Sequence, residues 1–386
     1  MKQKYLLILL FFAFAGLIHS CSSDEDALYD NILERSSKQA TVQNNAPITI
    51  DLSQVPFPKL SDYRFFDGPI HNQKPNYKVL PYKPASDLFT DYAKKKRFVW
   101  MPKGTSASYN GADNVFVFPV GAVLIKTFYY DNVQPSNTTK IIETRLLIKT
   151  QEATPTDSGW KLYEYIWNEE QTEAYLDTNG NGSFVPVTFT ENNVTKSVDY
   201  RIPSATECAT CHKINPADKG DIIIPIGPKP QNLNFTYDYV GSSANQLERW
   251  KKMGYIGSAL PDLATIASTV DWKDTSKPLE TRAKSYLDAN CAHCHRDGGH
   301  CAYVPMRLNF SNTNMNTFGA CMVPFSQTQS GSFVIYTGRA SLSEIVLRMN
   351  TNQESIKMPL IGRTTIHNEG LQLVTDWINS MRGSCP

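Results

Sequence analysis

The sequence has almost no net charge and few charged residues. Its 38 Lys and Arg residues nearly balance 37 Asp and Glu residues, and only 19% of the 386 residues are charged. A net charge of +1 gives no sign of a nucleic-acid partner or an acidic substrate. The chain also lacks heptads, long repeats and low-complexity tracts, which argues against coiled-coil, solenoid and disordered classes. Because 41% of the residues are hydrophobic, a sizeable core is expected.

The chain has no long apolar run after residue 18. The run from Leu6 to Ile18 follows the basic residues Lys2 and Lys4, and it is shorter than the ~20 residues of a membrane-spanning helix. It ends in Ile-His-Ser-Cys, which predicts a lipoprotein signal peptide over residues 1–20 and a lipidated Cys21. His19 replaces the usual small residue, so an ordinary secretory signal followed by a chance cysteine remains the alternative.

Residues 22–26, Ser-Ser-Asp-Glu-Asp, resemble the acidic tag of surface-exposed lipoproteins, although a solvated acidic linker has the same composition. These features predict a cell-envelope protein. It would be attached to the outer membrane by a lipid and would face the periplasm or the cell surface.

Export changes how the eight cysteines are interpreted, because an oxidising compartment favours disulfides or covalent haem. Removing Cys21 leaves seven cysteines, and two Cys-x-x-Cys pairs use four of them. Cys301, Cys321 and Cys385 are left over.

The pattern along the chain predicts an α+β fold with a polar linker, a β-rich domain, a first haem module and a helical C-terminal domain. The corresponding boundaries are 21–60, 61–205, 206–275 and 276–386. The β-rich domain is predicted to be antiparallel because β-branched and aromatic segments alternate with turn residues, at 115–130, 140–150, 159–167, 184–190 and 197–202. Apolar residues at helical spacing predict helices at 243–253, 278–290, 341–349 and 368–381. We expect the last of these domains to be mainly α-helical and similar to a class I cytochrome c. A capping box, Ser341-x-x-Glu344, is predicted to begin the third helix.

Two copies of Cys-x-x-Cys-His carry the strongest chemical signal. They are Cys208-Ala-Thr-Cys211-His212 and Cys291-Ala-His-Cys294-His295. In a c-type haem site the two thiols form thioether bonds to the haem vinyl groups, and the following histidine becomes the proximal iron ligand. The motifs therefore predict two covalently bound haem c groups.

Zinc binding is the main alternative for these motifs, and thiol–disulfide exchange is a weaker one. Paired Cys-x-x-Cys motifs of a zinc site are usually separated by roughly 15–20 residues. The two pairs here lie about eighty residues apart, and a histidine directly follows each pair.

The second motif is followed by a long loop, Lys357-Met358-Pro359 and a terminal helix, the order found in class I cytochromes c. This order predicts His295 and Met358 as the proximal and distal ligands, a pair that raises the potential and suits electron transfer. The alternative is that Met358 only fills the core.

The first motif has no obvious distal ligand. His212 is predicted to be proximal, and Met253 lies at a workable separation, although Met253 also fits the apolar face of its helix. His71, Met101, His300 and His367 are further possibilities, as is an empty sixth position. His293, between the two cysteines of the second motif, is interpreted as a solvent-facing spacer.

The chain resembles a family of two-haem bacterial c-type cytochromes over roughly residues 85–381. The resemblance depends on several stretches in the same order: LFTDYAKKKRFVWMPKG, FPVGAVLIKTF, WNEEQTEA, DYRIPSATECATCH, PIGPKPQNLN, NQLERW, SYLDANCAHCHRDGG, KMPLIGR and HNEGLQLVTDWI. It implies two covalent haems, export and a redox function. It does not imply a particular reaction.

This chain departs from the family at Gly299-His300-Cys301, and the departure suggests a local disulfide between Cys301 and Cys321, although Cys385 is able to pair with either residue.

The function expected from the sequence is electron transfer between redox partner proteins that remain unidentified. The alternative is a two-haem enzyme, of the peroxidase or oxidase type, with an open site on the first haem. A lipid-anchored binding module with structural haems is a third possibility. We find no convincing acid/base set in the sequence, so no catalytic residues are predicted.

Overall fold

The computed structural model describes residues 47–215, 220–257 and 259–386. The predicted signal peptide, Cys21 and the part of the predicted linker before residue 47 lie outside these ranges. Residues 49–386 form one compact unit. Within the described ranges, no helix combines the length and the apolar character needed to cross a membrane.

An antiparallel sheet of eight strands dominates the N-terminal half, which confirms the β-rich part of the prediction. Six strands follow one another in order, β1 to β6, while β7 pairs with β8 and touches β3 through Phe189 and Val133. The strands are β1 Leu80–Pro81, β2 Lys94–Trp100, β3 Val123–Val133, β4 Thr138–Lys149, β5 Trp160–Trp167, β6 Ala174–Leu176, β7 Ser183–Glu191 and β8 Val194–Ile202. Two small hairpins are β9 Lys213–Ile214 with β10 Ile222–Ile223, and β11 Thr236–Tyr239 with β12 Ser242–Asn245.

Each face of the sheet is covered by a different part of the chain, because successive side chains in a strand point to opposite faces. The segment before β1 covers one face, where the hydroxyls of Tyr63 and Tyr165 lie 2.9 Å apart. Gln73 accepts a hydrogen bond of 2.7 Å from Thr127 on the same face. The opposite face packs against the later half of the chain, and its apolar core includes Leu124 and Trp250.

Within the described ranges, seven helices follow the sheet, and most of them are short. They are α1 Ala205–His212, α2 Pro230–Leu233, α3 Gln246–Lys252, α4 Leu279–Leu287, α5 Met315–Phe318, α6 Glu344–Met349 and α7 Asn368–Ser380. Helices α4, α6 and α7 pack around a second core that contains Leu287, Val346 and Val374. Four of the seven helices, α3, α4, α6 and α7, overlap the segments whose apolar spacing predicted them.

The prediction of a mainly α-helical, cytochrome c-like C-terminal domain is wrong. Only 21% of the described residues are helical, and they form no mainly helical domain. The long connections after α4 contain glycines with positive φ, such as Gly298 at 68° and Gly319 at 120°, which end helical geometry. In residues 276–386, helical spacing correctly predicted the three helices α4, α6 and α7. It gave no information about the irregular segments between them.

The predicted capping box at Ser341 is also wrong. Helix α6 begins at Glu344, after a 3₁₀ turn at Ala340–Leu342. The Glu344 carboxylate accepts hydrogen bonds from the Thr328 backbone N–H and the Ser332 hydroxyl at 2.6 Å each. The carboxylate therefore fixes the preceding loop rather than its own N-cap.

The predicted Cys301–Cys321 disulfide is wrong, because the structure joins Cys321 to Cys385. The Cα atoms of these two residues are 5.1 Å apart, while Cys301 is a buried free thiol. Chain return after α7 brings Cys385 beside Ile335, whose carbonyl also accepts the Cys321 N–H at 2.9 Å. Cys301 is instead held at the second motif, where its N–H donates to the Cys294 carbonyl at 3.1 Å.

Replacing Cys321 and Cys385 together with serine should destabilise the protein by about 4 kcal/mol, from the loop-closure entropy of a 64-residue separation. Denaturant unfolding under oxidising conditions measures this change in the free energy of unfolding. A thiol reductant should lower the stability of the wild type and leave that of the double variant unchanged. Equal midpoints for the two oxidised proteins would contradict the assignment.

Candidate functional site

The first Cys-x-x-Cys-His motif lies on helix α1, which directly follows strand β8. Ser204 is the N-cap, and its hydroxyl accepts the Glu207 N–H at 3.2 Å, while the Glu207 carboxylate accepts the Ser204 N–H at 2.6 Å. Positions Cys208, Cys211 and His212 are three and four residues apart, so the helix presents all three side chains on one side. Apolar spacing predicted no helix here, although Ser204-x-x-Glu207 is the capping-box pattern that would have indicated one.

The second motif begins in a wider turn, Asp288–Ala292, that continues α4. The Cys291 carbonyl accepts the N–H groups of Cys294 and His295 at 3.1 and 3.0 Å, which curls the motif into a compact loop. The buried Asp288 carboxylate supports the start of this turn by accepting the Phe310 N–H at 3.0 Å.

The two motifs meet in space although about eighty residues separate them. Ligand atoms of Cys211, His293 and Cys294 all lie within 4.8 Å of one another. The Asn215 N–H donates to the Gly298 carbonyl at 2.7 Å and ties the segments after the two motifs together. His293 is therefore not the solvent-facing spacer expected from the sequence, because its Nδ1 is buried and lacks a hydrogen-bond partner within the described ranges.

Cys208, Cys211 and His212 open into one large cavity, called here the first cavity. It contains about 1510 Å³ of space free of protein atoms, part of which is open to solvent. His212 Nδ1 lies 2.9 Å from the Ile224 carbonyl, which only accepts, so Nδ1 carries the proton and Nε2 is left as a lone-pair donor. Burial lowers the pKa of His212 to about 4, which keeps the imidazole neutral, as a metal ligand must be.

Cys291, Cys294, His295 and Met358 line a smaller cavity, called here the second cavity. It contains about 440 Å³ of free space, again partly open to solvent. Burial lowers the pKa of His295 to about 4, and its Nδ1 is buried with no hydrogen-bond partner among the described residues. The structure thus brings the predicted proximal and distal ligands of the second haem to one cavity.

Met253, the sequence-predicted distal ligand of the first haem, does not line the first cavity. It packs against the core that contains Trp250. Met101 is also buried in that core, and His71 is exposed. His300 lines the second cavity rather than the first.

His367, the remaining sequence candidate, occupies the N-cap position of α7 and lines neither cavity. Its ring stacks on Phe89 with the centroids 4.1 Å apart, and its Nδ1 lies 2.9 Å from the Tyr286 hydroxyl. Its side chain is 11% exposed. The aromatic packing explains this position without any ligand role.

Acid should destabilise the protein through His367. Burial lowers its pKa from 6.5 to about 4, so only the unfolded state gains a proton between these pH values, and stability falls as pH falls through this range. Between pH 7 and pH 4, the free energy of unfolding should fall by up to ~3 kcal/mol more in the wild type than in His367→Gln. Urea unfolding at each pH measures this difference. The control His71→Gln, at an exposed position, should behave like the wild type. Parallel pH profiles for the wild type and His367→Gln would contradict this prediction.

A row of charged side chains crosses the sheet face that borders the first cavity. The register pairs Arg97 with Lys126, Lys126 with Arg145, and Arg145 with Glu164. The first three of these residues line the first cavity. The sequence pattern did not predict this row, although Lys126 is the one charged residue in Val-Leu-Ile-Lys-Thr-Phe-Tyr-Tyr.

Two of the three cations in this row, Arg97 and Arg145, are paired with carboxylates, whereas Lys126 is not paired with any carboxylate that the structure describes. Arg145 donates to the fully buried Glu143 carboxylate at 2.8 Å through Nε, and Arg97 pairs with Asp87 at 3.2 Å. Lys126 has no hydrogen-bond or ion-pair partner in the described part of the chain; its ammonium lies over the Phe128 ring, 4.7 Å from the centroid. Burial, followed by the charges of Arg97 and Arg145, lowers the pKa of Lys126 well below its usual range.

The donor sets allow two kinds of chemistry. Each cavity contains the two thiols and the neutral imidazole of one motif, and this set matches thioether attachment of a haem with a proximal histidine. Alternatively, Cys211, His293 and Cys294 alone could hold one zinc ion with a fourth position open. The zinc arrangement would leave Cys208, His212, Cys291 and His295 without a ligand role.

Comparisons with protein-family models, curated proteins and solved structures find no match to this chain. The resemblance to two-haem cytochromes therefore stays a prediction from the sequence.

Proposed function

We propose that this protein is an exported, lipid-anchored c-type cytochrome with two covalently bound haems, and that it transfers electrons between redox partners. Cys208 and Cys211 would attach the first haem in the first cavity, with His212 as the proximal ligand. Cys291 and Cys294 would attach the second haem in the second cavity. His295 and Met358 would be its axial ligands. The iron of each group supplies reversible one-electron chemistry between the ferrous and ferric states.

The meeting of Cys211 and Cys294 supports electron transfer most directly. Their sulfurs lie within 4.8 Å of each other and of a His293 ring nitrogen. A thioether sulfur is bonded to the edge of its haem, so this spacing would bring the edges of the two macrocycles close together. Because the probability of electron tunnelling falls exponentially with distance, adjacent edges favour rapid exchange between the two irons.

The proposed partner is another redox protein. The balanced charge of +1 gives no reason to propose nucleic acid. A lipid on Cys21 would hold the protein at the outer membrane, in keeping with the predicted signal peptide. Electrons would then enter and leave the protein at the cell envelope. Thioether bonds would keep the haem groups attached to the exported protein.

A haem count combined with ligand binding tests this function. The pyridine haemochrome spectrum should give two haems per chain, and both should remain on the denatured polypeptide in a peroxidase-stained gel. Carbon monoxide and cyanide should then bind slowly, because both irons have six ligands. Bound zinc without covalent haem would refute the proposal.

One observation favours the enzyme alternative, and the same haem count and ligand-binding experiment tests it. No methionine lines the first cavity in the described residues, so its iron could have an open sixth position. Two covalent haems with rapid carbon monoxide binding to one of them would favour a peroxidase or oxidase over a pure electron carrier.

A further inference from the structure

We infer that Lys126 is the distal ligand of the iron held by His212. This inference rests on the proposed function, because it requires a haem in the first cavity. It assigns to strand β3 the ligand that the sequence could not place, and it makes the first haem a His/Lys centre beside a His/Met centre.

The fold brings Lys126 and His212 to the same cavity from different elements. Strand β3 contributes Lys126 from the sheet, and α1 contributes His212 together with Cys208 and Cys211. A distal ligand on the sheet would therefore share one cavity with the proximal ligand on the helix.

Three other potential donors that line the first cavity, Lys229, Tyr200 and His293, have contacts elsewhere. Lys229 forms ion pairs with Asp113 at 3.0 Å and Asp288 at 3.4 Å. The Tyr200 hydroxyl donates to the Glu143 carboxylate. A ligand atom of His293 lies within 4.8 Å of the Cys211 sulfur, so His293 would lie beside the thioether bond of a haem attached there.

The surroundings of Lys126 suit a neutral amine, which is the form that binds a metal. Its cross-strand neighbours Arg97 and Arg145 are both cationic, and it has no carboxylate partner within ion-pair distance in the described ranges. Binding would transfer the ammonium proton to solvent and give the nitrogen lone pair to the iron. Arginine cannot replace it, because a guanidinium keeps its proton in proteins.

Lys126 also has a rival role, since the cationic row of Arg97, Lys126 and Arg145 could instead bind the propionate carboxylates of the haem. The two roles respond differently to substitution. Lys126→Arg keeps a cation and preserves propionate binding, but it removes an iron ligand. Lys126→Met removes the cation and supplies a thioether that can bind the iron.

The experiment records near-infrared and electron paramagnetic resonance spectra of the ferric two-haem protein and of three variants. Lys126→Arg should convert one haem from low spin to high spin and let one carbon monoxide bind rapidly in the ferrous state. Lys126→Met should double the intensity of the methionine-to-ferric-iron charge-transfer band. Lys140→Ala, on the neighbouring strand at a position that pairs with Glu169, should leave the spectra unchanged.

The haem count separates a failure of the proposed function from a failure of the ligand inference. Fewer than two covalent haems in the wild type would overturn the proposed function. Two haems with a low-spin Lys126→Arg spectrum like that of the wild type would overturn only the ligand inference, and the propionate role would replace it. Rapid carbon monoxide binding to the wild type would also overturn the inference, because the sixth position would then be open.

Discussion

Replacing Cys208 and Cys211 together with alanine should reduce the covalent haem content from two groups per chain to one. The two thiols are the only cysteines lining the first cavity in the described residues, and without them no thioether bond to a haem can form there. Replacing Cys291 and Cys294 should likewise remove only the other haem. The pyridine haemochrome count and haem staining after denaturation measure both losses.

Cys301→Ala is the matched control for these pairs. Cys301 is buried, lines the second cavity and is a free thiol, but it belongs to neither motif. This variant should keep both haems. A single metal shared by Cys211, His293 and Cys294 would behave differently, since either double variant would then remove it completely.

Met358→Leu should abolish the methionine-to-ferric-iron charge-transfer band and open the second iron to carbon monoxide. Leucine has a similar volume but no thioether, so the cavity is kept while the ligand is lost. The midpoint potential of that haem should fall by on the order of 0.1 V, a fraction of the roughly 0.8 V over which axial ligands set haem potentials. Redox titration followed optically measures this change.

Met349→Leu controls for the loss of a methionine from the same region. Met349 is buried in the second core on α6 and does not line the second cavity. The Met349→Leu variant should retain the methionine-to-ferric-iron band and the midpoint potential of the second haem. A band that survives in Met358→Leu would move the distal ligand to another residue, and His300, which also lines the cavity, would be the first to test.

Local patterns in the sequence were sufficient for several features of the fold. Alternating β-branched and aromatic segments indicated the antiparallel sheet, and the apolar face of residues 368–381 indicated α7, which spans Asn368–Ser380. Such patterns succeed because one face of each element is buried along its whole length. The same reasoning failed for the irregular connections of the C-terminal part, where backbone hydrogen bonds and positive-φ glycines replace periodic burial.

Pairings between distant residues were beyond these patterns. The sequence favoured a Cys301–Cys321 disulfide with Cys385 as an alternative partner, and only the return of the chain after α7 selects Cys321 and Cys385. Met253 had a suitable spacing from His212, but its side chain faces the core. Spacing along the chain limits reach, whereas the direction of a side chain depends on the element that carries it.

The sequence by itself determined the chemistry that this protein can offer: two Cys-x-x-Cys-His motifs and a Met-Pro pair at a workable distance from the second. These are local because thioether attachment and proximal ligation need residues only a few positions apart. Tertiary structure decided that the two motifs meet at Cys211 and Cys294, and that Lys126 faces the cavity of His212. Those relations depend on strand register and on α1 and β3 lining the same cavity, which no short stretch of sequence encodes.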